Sequence, residues 1–504
     1  MRRLSGATGR WAQRYFGKAD LGDSRRTARL LLMAARAAEN PDGKISAVFT
    51  DGAERDGAYD LLEGGFVQAT DVVASIGDGT AAQCAREDYV YVPIDGSSLG
   101  LVDGTGNKGF GSVGALAKGG GGLKVITAEA VSPQGVPIGV LDQHWWARID
   151  ARQRGRKQKR RENLKRQAKD KETQHWLDAI EQVCRRAQGS GMKLWFELDR
   201  EADNKDILLK LANSEHRFTV RSSWDRRVEA KGNQKQYLRR VVARQPVLGE
   251  YDLEVEPGPN RTARKARMVV RTTQVVLQLR DKWTKRLQKL VVTAVWARET
   301  GRVPPGEKRL DWLLLTNAPV TTIEQAMQVI GGYALRWRIE EFHKTWKSGD
   351  CNVESTQLRD AQAVMVWASI LAAVAVRVER LKILSRTEPQ LPATVELSSH
   401  EVLALVLLKG TSRKSEPTAS ESPLTISQAV QWIAELGGYT GKSSGGPAGS
   451  ITIGRGLEEL RVAVRLLHAV DLLVRLMILR GAMPQDCSKP LLWLWPAVSI
   501  LRAA

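Results

Sequence analysis

Apolar positions along the chain change period from region to region, and each period predicts a type of element. Up to about residue 80 they recur at helical spacing, as in RRTARLLLMAARAAE at residues 25–39. From Tyr89 the run DYVYVPID is apolar and β-rich, and it predicts a strand that ends on Asp95 with a turn at Gly96. We therefore expect a helical N-terminal region and a sheet that begins near Tyr89.

A second apolar run, KLWFEL, leads directly to Asp199. The helical pattern READNKDILLKLA follows it, and Asp203 is the expected N-cap of that helix. The order strand, acid, turn, helix puts Asp199 at the end of a strand. Strands are rigid supports, so we expect its carboxylate to be held at the edge of a sheet.

The remaining chain is predicted to be β-rich and then helical. Strand-like runs with short polar turns occupy residues 217–318 and indicate a β-rich insertion or subdomain. Thr321 and Glu324 form a potential capping box that opens a helical region. Beyond residue 360 the pattern is helical, with polar linkers at about residues 411–423 and 441–450.

The segment GGYALRWRIEEFHKTWKSG at residues 331–349 predicts one continuous amphipathic helix. Its apolar stripe consists of Leu335, Ile339, Phe342 and Trp346. Its opposite face carries Tyr333, Arg336, Glu340, Lys344 and Lys347. One interpretation is a solvated face tied by i,i+4 pairs of Arg336 with Glu340 and of Glu340 with Lys344. The other is an acid that holds a metal ion while the cations bind the phosphates of a polyanion.

The charge of the chain favours a polyanionic partner. It has 76 Lys and Arg against 56 Asp and Glu, a net charge of +20 and a pI near 9.9, which points to nucleic acid first and to anionic membrane second. Residues 151–171 alone carry eleven Lys or Arg against two acids, a net +9. Such a run is typical of a solvated segment, which can also bind phosphates without sequence preference.

Several classes of protein are not expected. The four cysteines have no C-x-x-C spacing, and the six histidines form no HExxH or paired-ligand pattern, so we expect neither a disulfide framework nor a zinc site. The basic N-terminus lacks the apolar region of a secretory signal. Residues 361–376 are apolar but shorter than a membrane span of about 20 residues. We interpret them as a buried helix of a cytoplasmic protein without a membrane partner.

Three acids form the candidate catalytic constellation. Asp95 and Asp199 follow apolar strands, and Glu340 lies on a helix face lined with cations. Three hard oxygen ligands suit Mg²⁺ or Mn²⁺, and two such ions about 3.5–4 Å apart support in-line phosphoryl transfer. Each acid taken alone has an ordinary alternative, a turn aspartate or a surface glutamate in an ion pair.

Tyr333, Arg336, Glu340 and Lys347 have the spacing Y-(2)-R-(3)-E-(6)-K. This spacing resembles the signature of the DDE transposases of the bacterial insertion-sequence-four group. Further segments resemble the same group: LGDSRRTARL at 21–30, HWWAR at 144–148, LDREAD at 198–203 and WLLLTNAPV at 312–320.

This resemblance runs from about residue 10 to 465 and implies an α/β fold. Its centre would be an RNase H-like mixed-sheet catalytic core at residues 81–360, with a β-rich insertion at about 222–318. An N-terminal helical DNA-binding module at residues 1–80 and a C-terminal helical dimerisation region with linkers at 361–504 would flank the core.

The resemblance also implies roles for individual residues. Asp95, Asp199 and Glu340 would be the catalytic triad and would hold the metal, as two ions of Mg²⁺ or Mn²⁺ in the family pattern. The residues implied to bind DNA are Tyr333, Arg336 and Lys347 near the cleaved end, Lys344 on the same face, Arg26 and Arg29 at the transposon end, Arg221 near the terminal phosphate, and Trp312, which would stack on a flipped base. For Trp312, a core residue at the start of a strand is an equal alternative.

The function expected from these residues is that of a cut-and-paste DNA transposase. It would bind transposon terminal repeats as a homodimer in a synaptic complex, cleave the ends through a hairpin and transfer them to target DNA. Two alternatives stay open: an inactive DNA-binding inhibitor or regulator of transposition, and an RNase H-like nuclease that only hydrolyses strands. An intact set of three acids argues against the inhibitor.

Overall fold

The computed structural model describes most of the chain, and the twelve strands and the helices given below belong to the described residues. The described residues are 7–104, 106–113, 120–148, 172–229, 235–258, 261–281, 284–410, 423–441 and 446–479. The basic segment at 151–171, the linker residues 411–422 and the end of the tail from residue 480 lie outside them.

Within the described residues 7–84, the regular elements of the N-terminal region are all helices, as the sequence predicts. They are α1 (Ala7–Phe16), α2 (Ser24–Glu39), α3 (Ile45–Val48), α4 (Gly52–Glu63) and α5 (Ala69–Cys84). Asp23 caps α2 by accepting the backbone N–H of Arg25 at 2.8 Å, and Asp51 caps α4 by accepting that of Glu54 at 2.9 Å.

All described strands join one mixed sheet. They are β1 (Val90–Gly100), β2 (Gly111–Ser112), β3 (Gly121–Val131), β4 (Pro137–Trp146), β5 (Leu194–Leu198), β6 (Arg217–Arg221), β7 (Arg227–Val228), β8 (Gln236–Tyr237), β9 (Gly249–Val255), β10 (Arg264–Arg280), β11 (Leu287–Glu299) and β12 (Asp311–Thr316). The chain is therefore of the mixed α/β class, as the sequence predicts.

The part of the sheet that carries the acids combines antiparallel and parallel pairs. β3 pairs antiparallel with β1 and β4, whereas β5 lies parallel to β1 on one side and to β6 on the other. Parallel strands need crossover connections, and these are α6 (Thr173–Ala187) between β4 and β5, and α7 (Lys205–Ala212) between β5 and β6. β5 is buried along its whole length, which explains why its sequence, LWFEL, is apolar without alternation except at Glu197.

The β-rich segment continues this same sheet. Residues 217–316 hold β6 to β12 and the short helix α8 (Leu238–Ala243), so the predicted strand content is confirmed. β12 pairs antiparallel with β6 and with β11, and β10 and β11 form a long antiparallel pair. The strands after β6 therefore extend the sheet, rather than standing apart from it as a separate subdomain.

Two predicted helix caps were wrong by one residue. α9 (Ile323–Leu335) begins after Thr322, whose side chain accepts the backbone N–H of Gln325 in a capping box, and not after Thr321 with Glu324. α7 is capped by Asn204, not by Asp203, because the Asp203 carboxylate is buried in an ion pair. Its partner is Arg226, with the closest N–O distance at 2.6 Å.

Helices form the rest of the described chain. They are α10 (Arg338–Lys347), α11 (Ala361–Thr387), α12 (Ser399–Gly410), α13 (Ile426–Leu436) and α14 (Ser450–Leu479). Of the described helices, only α11 is long and apolar enough to cross a membrane, and it is mostly buried inside the protein. The interpretation of residues 361–376 as a buried helix is confirmed.

Two hydrophobic cores meet at the candidate site. One combines α11 with the N-terminal helices and with Ile339, Phe342 and Trp346 of α10. The other lies on the sheet beneath α9 and includes Val329, Ile330 and Tyr333. The α9–α10 junction lies between these cores, above the strands that carry the two aspartates.

Candidate active site

Asp95 and Asp199 are neighbours because of the register between β1 and β5. The parallel ladder pairs Val90 with Leu194 and continues in step to Ile94 and Leu198. Asp95 and Asp199 are the next residues along the chain, and adjacent strands lie about 4.8 Å apart. The two carboxylates therefore share one level of the sheet, where the parallel pairing ends.

The prediction that β1 ends at Asp95 was wrong. β1 continues to Gly100, because β3 still pairs with it, with Asp95 opposite Thr127 and Gly96 opposite Ile126. Asp95 marks the end of the parallel pairing with β5 only, since that strand stops at Leu198. The aspartate is consequently held in an extended strand rather than in a turn.

Arg336 joins Asp95 to Glu340. Its Nη1 atom lies 3.6 Å from Asp95 Oδ2, and its Nη2 atom lies 2.5 Å from Glu340 Oε1. Glu340 is in the first turn of α10. Of the two i,i+4 pairs in the ordinary interpretation, the structure shows the pair with Arg336. The same arginine extends that pair to the aspartate on β1, which brings the third acid to the end of the parallel ladder.

The electrostatics of Asp95 reflect the crowding of these acids. Burial raises its pKa from 3.8 to about 7, and the charges of Asp199 and Glu340 act in the same direction. Arg336 and the backbone N–H of Gly96 oppose this rise but do not cancel it. The single Arg336 guanidinium therefore does not neutralise three carboxylates, and the site is suited to binding further positive charge.

The predicted continuous helix at residues 331–349 was wrong at its centre. α9 ends at Leu335 and α10 begins at Arg338, and the N–H groups of Arg336 and Trp337 bond to carbonyl groups three residues earlier. The helix axis changes here because α9 packs on the sheet and α10 packs against α11. Arg336 lies in this break, from which it reaches both acids.

The break also changes the faces of the two helices. Ile339, Phe342 and Trp346 are fully buried as predicted, but Leu335 is only partly buried. Tyr333, predicted on the polar face, is 5% exposed. Because it belongs to α9, it packs into the core on the sheet instead of lining a solvent-facing surface with Glu340.

Tyr333 lies in a second cluster beside the acids, together with Arg221 and Trp312. Its ring and that of Trp312 pack in a T-shaped arrangement, with 5.6 Å between centroids, and the Arg336 guanidinium lies 6.0 Å from the Tyr333 ring centroid. Burial raises the pKa of the Tyr333 hydroxyl, while Arg221 and Arg336 lower it, Arg221 also through a hydrogen bond. Arg221, at the end of β6, donates to the Asp311 carbonyl at 3.0 Å.

The two lysines of α10 follow Glu340 at intervals of four and seven residues. Lys344 is exposed. The Nζ atom of Lys347 lies 3.6 Å from Glu354 Oε1, and the same carboxylate oxygen accepts the backbone N–H of Gly100 at 2.8 Å. Lys347 is therefore held near the far end of β1, and both lysines lie on the helix that carries the third acid.

Arg26 and Arg29 lie on α2, apart from this cluster. Arg26 stacks over Phe66 at 4.4 Å and donates to the Leu21 carbonyl at 3.1 Å. The guanidinium of Arg29 packs across Gly57 of α4. Among the described contacts, neither arginine reaches the three acids, so the structure separates them from the catalytic constellation.

Glu197 is a further acid at this site and is absent from the sequence-based predictions. It precedes Asp199 by two residues, on the same face of the chain, and is fully buried between Pro93 and Thr219 of the adjacent strands. Burial raises its pKa well above the usual value, which favours the neutral form. The signal in the sequence was a single acid inside the otherwise apolar KLWFEL.

Asp203 fixes the loop that follows Arg221. It is buried, and its carboxylate accepts the backbone N–H groups of Ser223 at 2.7 Å and Trp224 at 3.2 Å in addition to the pair with Arg226. Since it also follows Asp199 by four residues, it couples the β5–α7 loop to the end of β6. Its role in the fold is to hold these two loops together.

Two models of protein families match the chain. The family described as Transposase DNA-binding matches residues 8–64, and the family described as Transposase DDE domain matches residues 140–377. The first match covers α1 to α4, including Arg26 and Arg29. The second contains Asp199 and Glu340, while Asp95 lies before it, on β1.

The second match agrees with the architecture and the chemistry of the site. A DDE domain implies an RNase H-like core, which the mixed sheet and its crossover helices suit, and domains of this kind generally use divalent metal ions. The first match supports DNA as the partner of this protein. Together the two matches support a DDE transposase, an enzyme that cleaves and transfers DNA strands and carries its own DNA-binding domain.

Proposed function

We propose that this protein is a cut-and-paste transposase of the insertion-sequence-four group, with Asp95, Asp199 and Glu340 as its catalytic acids. The observation that carries the proposal is the convergence of these acids. Asp95 and Asp199 follow the last in-register pair of β1 and β5, and Arg336 links Asp95 to Glu340 from the α9–α10 break.

The donor set fits divalent metal ions. Three carboxylates offer hard oxygen ligands, as Mg²⁺ and Mn²⁺ prefer. Burial raises the pKa of Asp95, and the charge of Asp199 raises it further, an effect that a bound cation would offset. Two ions held by these acids would activate the attacking oxygen and stabilise the leaving oxygen in phosphoryl transfer. The number of ions and their identity are part of the proposal.

The basic residues around the acids position the DNA. Lys344 and Lys347 extend along α10 from Glu340, and Arg221 lies beside Tyr333, which also interacts with Arg336. A phosphate chain that reaches the acids is bound by the two lysines and Arg221 through charge-assisted hydrogen bonds, and by the hydroxyl group of the otherwise buried Tyr333. Trp312 packs edge-on against Tyr333 and is only partly buried, so that part of its ring is available to stack on a base.

The remaining parts of the chain bind and pair the transposon ends. Arg26 and Arg29 of α2 contact the terminal repeats, within the segment that matches the DNA-binding family. Two copies of the protein form the synaptic complex, and each copy brings one transposon end to the catalytic acids of the assembly. Cleavage proceeds through a hairpin, and the freed 3′-hydroxyl then attacks target DNA in the cytoplasm.

The test uses the purified full-length protein and DNA that spans both boundaries of its own gene, with and without Mg²⁺. Breaks at paired boundaries that leave hairpins or 3′-hydroxyls are the expected result. They should be absent with Asp199→Asn and retained with Glu201→Gln, which changes an exposed acid two residues away.

Two outcomes would overturn the proposal in different directions. Boundary binding without breaks would identify an inhibitor or regulator of transposition. Scattered hydrolysis without strand joining would identify a nuclease. An integration assay that supplies pre-cut ends separates these results, because only a transposase joins the ends to a target.

A further inference from the structure

A second group of metal-ligating side chains consists of residues other than the three acids. His144 is near the end of β4, and His175 and Asp178 are on α6. The Nε2 atom of His144 lies 3.0 Å from Nδ1 of His175 and 3.8 Å from Oδ2 of Asp178. All three ligand atoms lie within 4.8 Å of one another.

Neighbouring side chains fix the orientation of these ligands. The Trp146 ring stacks on the His175 ring, with 3.9 Å between centroids and 14° between planes. Gln174 donates to Asp178 Oδ1 at 2.7 Å, and the other oxygen of that carboxylate is directed towards His144. Metal-binding residues commonly have such outer partners, which hold the rings and carboxylates in place.

The charge state of the group suits a cation. Burial lowers the pKa of both imidazoles, which favours the neutral form that binds metals. The cations that face the group are Lys124, whose ammonium lies 5.5 Å from the Trp146 ring, and Arg148, and both form ion pairs with Glu172. Asp178 supplies the negative charge among the three ligands.

We propose that His144, His175 and Asp178 bind Zn²⁺. Zinc takes imidazole nitrogen and carboxylate oxygen at about 2.0–2.2 Å in tetrahedral geometry, which separates two ligand atoms by about 3.3 Å. The two separations from His144, 3.0 and 3.8 Å, bracket that value. Three protein ligands are the number found in zinc sites that keep one position for water or another ligand.

The sequence predicted no zinc site, because His144 and His175 are 31 residues apart and only the His-x-x-Asp spacing on α6 is local. The proposed ion joins β4 to α6. In sequence these two elements adjoin residues 149–171, which include the segment of net charge +9. The ion therefore fixes the positions at which the most basic segment is attached to the sheet and to α6.

This site is distinct in chemistry from the three acids. Imidazole ligands favour zinc and carboxylates favour magnesium, so an excess of Mg²⁺ occupies the acids without displacing zinc from the histidines. The proposal does not depend on transposase activity, and its experiment can be done on a catalytically inactive background. Glu340→Gln serves as that background.

The experiment measures zinc bound to full-length Glu340→Gln protein after chelation, reloading with Zn²⁺ and dialysis against excess Mg²⁺. One equivalent is expected, with tetrahedral absorption bands when Co²⁺ replaces zinc. His175→Ala and the isosteric Asp178→Asn should each weaken zinc binding by more than about a hundredfold, and Gln174→Ala by about tenfold, since outer partners contribute less than ligands.

His216→Ala is the matched control. Its imidazole is also half-buried with a lowered pKa, but it contacts Phe196 and not the proposed ligands. This variant should retain the full equivalent. Equal zinc in His175→Ala, Asp178→Asn and the unchanged protein would overturn the proposal, as would no retained zinc in any of them. Circular dichroism in EDTA verifies that each variant is folded, so that lost zinc is not lost structure.

Discussion

The protonation of Asp95 is coupled to the stability of the fold. Burial and the charge of Asp199 raise its pKa from 3.8 to about 7. Between about pH 4 and 7 the folded protein keeps a proton that the unfolded chain has lost, so the contribution of this group to the free energy of unfolding falls as the pH rises. Above about pH 7 the contribution is constant, because the group is ionised in both states.

We expect Asp95→Asn to remove this pH-dependent loss. In EDTA, the stability of the variant relative to the unchanged protein should increase between pH 5 and pH 8 by on the order of 1–3 kcal/mol. Urea unfolding at a series of pH values measures this difference. A difference that stays constant from pH 5 to pH 8 would contradict the assigned environment of Asp95.

Replacement of Glu340 should reduce DNA cleavage without reducing DNA binding. Glu340→Gln keeps the shape of the side chain but removes the charge that faces Arg336. Metal ions contribute several kcal/mol to such reactions, so strand cleavage should fall by about a thousandfold or more. Binding of transposon-end DNA, measured by fluorescence anisotropy, should change little, because a carboxylate adds little affinity for phosphates.

Glu324→Gln is the control for this variant. Glu324 is an exposed glutamate in the first turn of α9, away from Arg336, and cleavage should be retained after its replacement. Parallel losses of binding and cleavage in Glu340→Gln would place the effect on folding or on DNA affinity instead of on the chemistry.

At the scale of elements, the position of α9 depends on one of two consecutive glycines. A Cβ atom at Gly332 would lie 2.3 Å from Tyr91 Cε1 and 3.0 Å from Glu197 Oε1, both buried on the sheet. We expect Gly332→Ala to destabilise the protein by about 1–3 kcal/mol through overpacking. It should also reduce cleavage at least tenfold, because α9 carries Tyr333 and leads into Arg336. Thermal unfolding and the boundary-DNA assay measure the two effects.

Gly331→Ala is the matched control for this prediction. Gly331 is exposed, and a Cβ atom there meets no other atom within 4 Å. Both substitutions add the same helix propensity, worth up to about 1 kcal/mol, so any loss specific to Gly332→Ala comes from contact with the sheet. Equal effects of the two variants would show that α9 tolerates displacement.

The sequence was sufficient to predict the elements where the residues themselves determine them. The apolar runs before Asp95 and Asp199 predicted two strands, and Ile339, Phe342 and Trp346 predicted the buried stripe of α10. These signals are local, since burial on one or both faces imposes its period on the side chains.

Features that depend on distant partners could not be predicted in this way. β1 continues past Asp95 because β3 pairs with it, and the helix at residues 331–349 breaks because its two halves pack on different cores. His144 and His175 meet only when β4 and α6 are adjacent. In each case a segment remote in sequence determines the local structure. A single sequence does not show which segments will be neighbours in the fold.

At the scale of the whole molecule, the N-terminal helices and the catalytic helix α10 share one hydrophobic core. α11 passes through it, and its Trp367 donates to the Gly43 carbonyl at 3.0 Å and packs against Phe49. Trp346 of α10 in turn donates to the Ala368 carbonyl at 2.9 Å. The segment that matches the DNA-binding family is therefore fixed to the helix that carries Glu340.

This shared core means that end binding and catalysis should be lost together on unfolding. Trp367→Ala should cost about 3–5 kcal/mol, and urea should abolish end binding and cleavage at the same, lowered concentration. The control Trp224→Ala, at a tryptophan 64% exposed, should change stability by no more than about 0.5 kcal/mol. In the contrary outcome, Trp367→Ala loses end binding at a much lower urea concentration than cleavage of pre-bound ends. The N-terminal helices would then unfold independently of α10, because one cooperative core unfolds as a unit.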